Sequence, residues 1–436
     1  MSSLLLRSCY TLGVLLYLCC FLPKFLLQRL RYGKYKGTIF PRLIGKAPVP
    51  TQQPVIWFHA VSVGEAKALL PLLSLCRKAH PTAFILISTT TETGLRVAKK
   101  EATQADAYCY LPLDFSWTAR RFVRRLRPNL LILIEGDYWL NLMRQVKQLG
   151  GAIIVASGKL SQRSMRRYAA VRPFSRALFS LVDHFYLQTE DYRQKFCQLD
   201  VPKEKLTVIG NLKFDLEQTP LSDQQQNLLR QKLGLTGKEL LIVVGSTHAK
   251  EEAALLDSLL PLTIKHRRLK ILLFPRHPER FAEVGALLKK RCPDHAIFSR
   301  GSSSPMRVIL VDRIGILSQC YPLATLAIVG GSYFPGIGGH DIFEPAKRAV
   351  PVLFGPYMEK QPELTQLILL ANAGYQTDLK QLRYVVDDLL SNSKQRRLMG
   401  ERGEKLARKM SGTAKRHWKQ LALLLNPDSP SQNHQI

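Results

Sequence analysis

Val55-Ile56-Trp57-Phe58-His59-Ala60-Val61-Ser62-Val63-Gly64-Glu65 is an apolar run that stops at small residues and passes into the helical pattern of residues 66 to 79. A strand that enters a glycine turn and leaves as a helix opens a βαβ unit. The pattern recurs: short apolar runs at Ala83 to Ser88, Leu130 to Ile134, Ile153 to Val155 and Phe185 to Leu187 are separated by helical stretches. Such alternation predicts a parallel sheet with helices on both faces. Residues 215–226, with Pro220 and a glutamine run, are polar and without period, and read as a linker. A second alternation follows, with strands expected at Leu240 to Val244, Ile271 to Phe274, Val308 to Val311, Leu326 to Val329 and Val352 to Phe354. Each run is continuous enough to be buried on both faces. The expected class is α/β, with two consecutive doubly wound domains that face a cleft.

The chain's 436 residues, 46% of them hydrophobic, suit two domains better than one. Lysine and arginine total 63 against 33 acidic residues, a net charge of +30, which implies an anionic partner: nucleic acid, phospholipid or a phosphorylated substrate. The eight cysteines show neither a CxxC pair nor metal-ligand spacing, and read as reduced thiols. From Leu4 to Leu27 the sequence is mostly apolar, about one bilayer crossing long, with no small-x-small cleavage site before Lys24. The flank carries Lys24, Arg29, Arg31, Lys34, Lys36, Arg42 and Lys46, and the first acidic residue is Glu65. The positive-inside rule therefore places everything after this anchor in the cytoplasm. The expected division is an anchor with its flank (1–30), a first domain (31–214), a linker (215–226), a second domain (227–425) and a disordered tail (426–436).

Strand ends carry the candidate chemistry, because open α/β sheets bind ligands at the carboxyl ends of their strands. Glu65 stands at one such end, as a proton acceptor or as an ordinary carboxylate at a helix start. Ser88 to Gly94 is a second turn, rich in hydroxyls that suit capping first and substrate second. Glu135-Gly136-Asp137 places two carboxylates after another strand, where they need cations or remain solvated. Residues 116–176 hold 13 basic residues and only those two acids, with Arg120, Arg121, Arg124 and Arg125 at helical spacing beside Trp117. That face suits an anionic membrane surface or phosphate groups as well as plain solvent.

In the second half, Gly245-Ser246-Thr247-His248 precedes a helical pattern from Ala249 and offers backbone N–H groups to an anion. Pro275-Arg276 follows a strand directly, with a guanidinium fork for phosphate or carboxylate. Two glycine pairs precede Asp341-Ile342-Phe343-Glu344, where Glu344 at a helix start can accept both hydroxyls of a ribose.

Six ordered motifs, HAVSVGEA (59–66), STTTETG (88–94), GNLKFD (210–215), GSTHAKEE (245–252), PRHPER (275–280) and GGHDIFEPA (338–346), resemble those of the Kdo (3-deoxy-D-manno-octulosonic acid) transferases over nearly the whole chain after the anchor. The resemblance implies a GT-B fold of two Rossmann-like domains, and inverting, metal-independent transfer of one or more Kdo units from CMP-Kdo to lipid IVA, with no cofactor. It implies that Glu65 is the general base and that Glu135 and Lys213 stabilise the transition state. Pro275, Arg276, residues 314–316 and Asp341 to Glu344 would contact CMP. The chain departs from the family's pattern at Gly136, Asp137, Tyr138 and Leu140, at Ser157-Gly158-Lys159 in place of Asn-Ala-Arg, at Ile314-Gly315-Ile316 in place of Met-Gly-Glu, and at Asp341 in place of Asn. These side chains at 314–316 suit CMP less well, and the backbone N–H groups there can still serve it. Anionic inner-membrane lipids are expected partners and nucleic acid is not. The rival readings are another GT-B enzyme, a UDP-sugar transferase or epimerase, and a basic nucleic-acid-binding membrane protein.

Overall fold

The structure, a computed structural model, describes residues 10–15, 20, 39–216, 221–301 and 306–425. The chain divides into two compact units, residues 1–217 with 410–436, and residues 218–409.

The first unit is built on a parallel sheet of β1 (Val55–Ala60), β2 (Phe84–Thr89), β3 (Ala107–Tyr110), β4 (Leu130–Ile134), β5 (Ala152–Gly158), β6 (His184–Leu187) and β7 (Leu206–Val208). Their order is β3-β2-β1-β4-β5-β6-β7. Strand side chains alternate between two cores, as the two-residue repeat of a strand requires. Trp57, Leu131, Leu133 and Val155 enter one core, while Ile56, Phe58, Ile132 and Ile134 enter the other. Both faces are covered, which explains why these strands read as unbroken apolar runs. Direction reverses between β1 and β4, so the turns after these two strands flank the crevice where such sheets bind ligands.

The second unit repeats the plan with β8 (Leu240–Thr247), β9 (Leu269–Pro275), β10 (His295–Ile297), β11 (Val308–Leu310), β12 (Leu326–Val329), β13 (Val352–Phe354) and β14 (Gly374–Gln376), ordered β10-β11-β9-β8-β12-β13-β14. Val244 and Leu273 face one core, Val243 and Leu272 the other. Here the crevice lies between β8 and β12.

Two boundaries differ from those expected from sequence. The linker expected at 215–226 is interrupted by Ser222, whose capping box starts the helix Asp223–Lys232. At the C-terminus the second domain does not run to residue 425: the helix Thr413–Leu425 belongs with the first unit. Ala414 and Leu421 are buried in the first unit's core, and the His417 imidazole accepts the N–H of Ser157 at 3.1 Å. A helix returning from the far end of the chain leaves no local sequence signal.

The expected anchor and the tail lie largely outside the described residues; of residues 1–30 the helical stretch 10–15 and residue 20 are described. Tyr10 donates to Asp114 at 2.8 Å and stacks on Phe174 at 5.5 Å. Among the described residues no helix is long and apolar enough to cross a membrane.

Candidate active site

The turns after β1, β4 and β5, with the short helical turn Leu212–Asp215, gather Glu65, Glu135, Lys159 and Lys213 on the first unit. Ser62 caps the helix Val63–Ala68, and Glu65 folds back on the turn. Its Oε2 accepts the N–H of Val61 at 2.6 Å, and its Oε1 accepts the Ser62 hydroxyl at 3.1 Å. Burial raises the Glu65 pKa above the usual carboxylate range, the Val61 N–H opposes that rise, and the nearby Glu135 charge reinforces it. A carboxylate with an elevated pKa, held by two donors at a strand end, is equipped to take a proton.

Glu135 is 5% exposed and sits in the left-handed region at φ 61°. Lys213 Nζ lies 2.6 Å from its Oε1, and Lys159 contacts its Oε2. Burial alone would push this carboxyl up, but the two ammonium charges outweigh it and hold the pKa below the usual value. A Cβ placed on Gly64 would stand 3.9 Å from Lys213 Nζ, so the Lys213 ammonium lies alongside the turn that carries Glu65. The three expected catalytic residues are thus neighbours, and Lys159 joins them.

Two residues on from Glu135, Asp137 belongs to a hydrogen-bonded group centred on His59. His59, 1% exposed, reaches Asp137 Oδ2 at 3.0 Å and the Ser88 hydroxyl at 2.9 Å. The Trp57 indole donates to Ser88 and the Trp139 indole to Asp137, each at 2.8 Å. Asp137 therefore stays ionised below its ordinary range, because these hydrogen bonds outweigh its burial. Nothing in the sequence gives His59 a role beyond its standing as a histidine amid the apolar residues of β1.

On the second unit, Ser246 adopts φ 57°, and the helix begins at Glu251, two residues later than expected. The difference has chemical consequences. Buried Glu251 accepts the N–H groups of His248, Gly331, Ser332 and Tyr333 at 2.7–3.0 Å. Its carboxylate pins the loop after β8 to the loop after β12, and of the N–H groups expected to meet an anion at 245–248 it takes that of His248. Buried Glu252 binds the Thr247 hydroxyl and the Arg280 guanidinium. Gly245 packs against Tyr321: a Cβ there would lie 2.6 Å from the phenol oxygen.

Pro275 ends β9 buried, and Arg276 follows it exposed; its backbone N–H donates to the Thr247 carbonyl at 2.9 Å, while its guanidinium makes no hydrogen bond or ion pair among the described residues. Asp341 caps the short helix Phe343–Ala346, accepting the N–H groups of Phe343 at 2.8 Å and Glu344 at 3.2 Å. Ile342 and Phe343 point into the core, which leaves only their backbone for a nucleotide, while Glu344 is half-buried in the first turn. In the loop after β11, Ile314 is exposed, Gly315 has φ 90°, and Ile316 packs partly against the core.

Residues 31–216 match the profile of a family described as 3-deoxy-D-manno-octulosonic-acid transferase (kdotransferase). A 3-deoxy-D-manno-octulosonic acid transferase of Chlamydophila psittaci is 38% identical over 386 residues, 88% of each chain. The Haemophilus influenzae protein of the same description is 31% identical over 402 residues, 89% of this chain and 90% of that one. Among solved structures, UDP-GlcNAc 2-epimerase from Neisseria meningitidis bound to UDP-GlcNAc superposes with a TM-score of 0.63 at 13% identity, covering 85% of this chain and 100% of that one. At that identity the likeness speaks for the fold alone, two parallel α/β sheets of the GT-B type. Sequence identity near a third, sustained over about nine-tenths of both chains, carries more: this protein belongs to the 3-deoxy-D-manno-octulosonic acid (Kdo) transferases, a family of glycosyltransferases.

Proposed function

We propose that the chain transfers Kdo from CMP-Kdo to lipid IVA in lipopolysaccharide synthesis, the second unit holding the donor and the first the acceptor and the base. The observation that carries this reading is the Glu65 carboxylate, poised by burial beside the Glu135–Lys159–Lys213 cluster. Glu65 takes the proton of an acceptor hydroxyl as its oxygen bonds to the anomeric carbon from the face opposite CMP. The bond from that carbon to the phosphate oxygen breaks, CMP departs with the electron pair, and the configuration inverts. Lys159 and Lys213 outnumber Glu135 in charge, so the cluster has a positive balance for the phosphorylated acceptor and for charge that develops in the transition state. Arg276 meets the leaving phosphate as a fixed fork, a role that asks for no resident metal ion or other cofactor. The exposed Trp117, stacked on Phe115 at 4.5 Å, lies on the helix Ser116–Leu126 with the exposed Arg120, Arg121, Arg124 and Arg125. With the apolar segment 4–27, this face suits apposition of the first unit to anionic lipid on the cytoplasmic side of the inner membrane.

Mass spectrometry of lipid products made by the purified protein from CMP-Kdo and lipid IVA tests the reaction. A product heavier by one or more Kdo units is expected. Glu65→Gln retains an oxygen to accept the Val61 N–H but cannot take a proton. It should keep the rise in Tm that CMP causes and lose transfer by at least about a hundredfold. Near-normal turnover would reduce Glu65 to a helix-capping residue, and a Tm that responds to UMP but not CMP would favour a UDP-sugar enzyme.

A further inference from the structure

Three imidazoles converge on the second unit, from the loops after β8, β9 and β12, and the transfer chemistry above uses none of them. His248 Nε2 and His340 Nε2 are 2.8 Å apart, with the rings within 9° of parallel and their centroids 5.0 Å apart. His277 lies edge-on to His248, centroids 5.2 Å apart. Two nitrogen lone pairs cannot face each other at hydrogen-bonding distance, and neither can two N–H groups. One ring therefore donates and the other accepts, so the neutral pair holds a single proton at its centre. The donor ring's outer Nδ1 is then unprotonated. A proton added there makes an imidazolium that donates to an imidazole, a stronger bond formed at the same separation.

Charges around the pair decide whether that proton is present. Arg276, Arg280 and Lys360 face it with positive charge, His277 lies beside it with the Glu279 carboxylate 3.8 Å from its Nδ1, and Glu252 is the acid that opposes the cations at His248. The acids nearby are already engaged: Glu252 with Arg280 and Thr247, Glu251 with four backbone N–H groups, and Asp341 with the N–H groups it caps. Burial first, then the neighbouring cations, lowers the His340 pKa to about 4, and the His248 pKa falls for the same reasons. Without ligand the pair is neutral at neutral pH. A sugar nucleotide brings a phosphodiester and a carboxylate into the same field and reverses its sign. Glu251 already holds the N–H groups of His248, Gly331, Ser332 and Tyr333, so those four donors do not meet that charge.

We infer that the His248–His340 pair takes up a proton when the anionic donor binds, becoming a cation that holds it, and releases the proton when the nucleotide departs. The inference rests on the donor reading above and makes these two histidines positioning residues for the donor. The test is calorimetric titration of CMP into the full-length protein at pH 7.5, in buffers of differing ionisation enthalpy. The phosphate of CMP is then almost wholly a dianion and supplies few protons. Wild type should take up about half a proton per CMP, and its affinity should fall as pH rises, because a ligand that raises a group's pKa binds best where that group is protonated. His340→Asn and His248→Asn should each remove most of that uptake and weaken CMP binding by about threefold to tenfold, roughly the loss of one ordinary hydrogen bond, because the pair is only about half protonated at this pH. Absence of uptake in wild type, or equal uptake in wild type and both variants, overturns the inference while leaving the donor reading intact. A wild type that does not bind CMP overturns both. A wild type without uptake overturns the inference whether or not a variant folds, and one folded variant is enough to show whether the pair carries the proton.

Discussion

Glu135 holds a charge where burial opposes one, and Lys159 and Lys213 are the reason. Replacing both lysines by methionine strands the carboxylate, for a loss of about 3 kcal/mol in unfolding free energy, in the range measured for broken buried pairs. Adding Glu135→Gln to that double variant removes the charge and should restore most of the loss. Urea unfolding of the three proteins checks this, and failure of the third substitution to restore stability would mean that Glu135 is not held ionised by the lysines. At this scale the sequence was only partly legible. Glu65 and Glu135 stood out as carboxylates at strand ends, but no spacing joins either to Lys159 or Lys213. Glu251 and Glu252 look like ordinary first-turn acids of a helix, because sequence does not show which N–H groups a buried carboxylate will meet.

Strands that lie inside the sheets were legible, because burial on both faces demands unbroken apolar runs. The four that escaped, β3, β7, β10 and β14, are the outer strands of the two sheets. Edge strands are short and partly exposed, so their sequences (Ala107-Tyr108-Cys109-Tyr110, for example) carry little of that signal. The returning helix Thr413–Leu425 was assigned to the wrong unit because chain continuity was the only guide to its place. Asp215 secures its start, accepting the N–H of Gly412 at 2.6 Å and that of Ala414. Asp215→Ala leaves both donors to find water, and should cost about 1–2 kcal/mol, as the loss of a helix N-cap does. Hydrogen exchange should then accelerate first along residues 413–425, and unchanged protection there would show that burial of Ala414 and Leu421 suffices without the carboxylate.

For the molecule as a whole, the legible quantities were its +30 charge and its two-sheet plan; its response to acid was not, since that depends on burial. Two fully buried groups of the first unit act in opposite directions. Burial raises the Asp114 pKa from 3.8 to about 6, despite hydrogen bonds from Tyr10 and from the N–H groups of Asn141 and Leu142. Between those values the native state keeps a proton that the unfolded chain has released, so this contribution is full below pH 3.8 and disappears as pH rises to about 6. Burial lowers the His417 pKa from 6.5 to about 4. Here the unfolded chain binds the proton that the native state refuses, so this contribution is full above pH 6.5 and lost as pH falls to about 4. Each shift corresponds to about 3 kcal/mol, and in wild type the two nearly cancel. Asp114→Asn should therefore lose stability on acidification from pH 6.5 to 4.5 faster than wild type does. His417→Gln, whose side-chain oxygen can still accept the Ser157 N–H, should do the reverse. Urea midpoints across that range decide the matter: variants whose midpoints track wild type at every pH would mean that neither group is titrated by folding, and that the burial of both is relieved in solution.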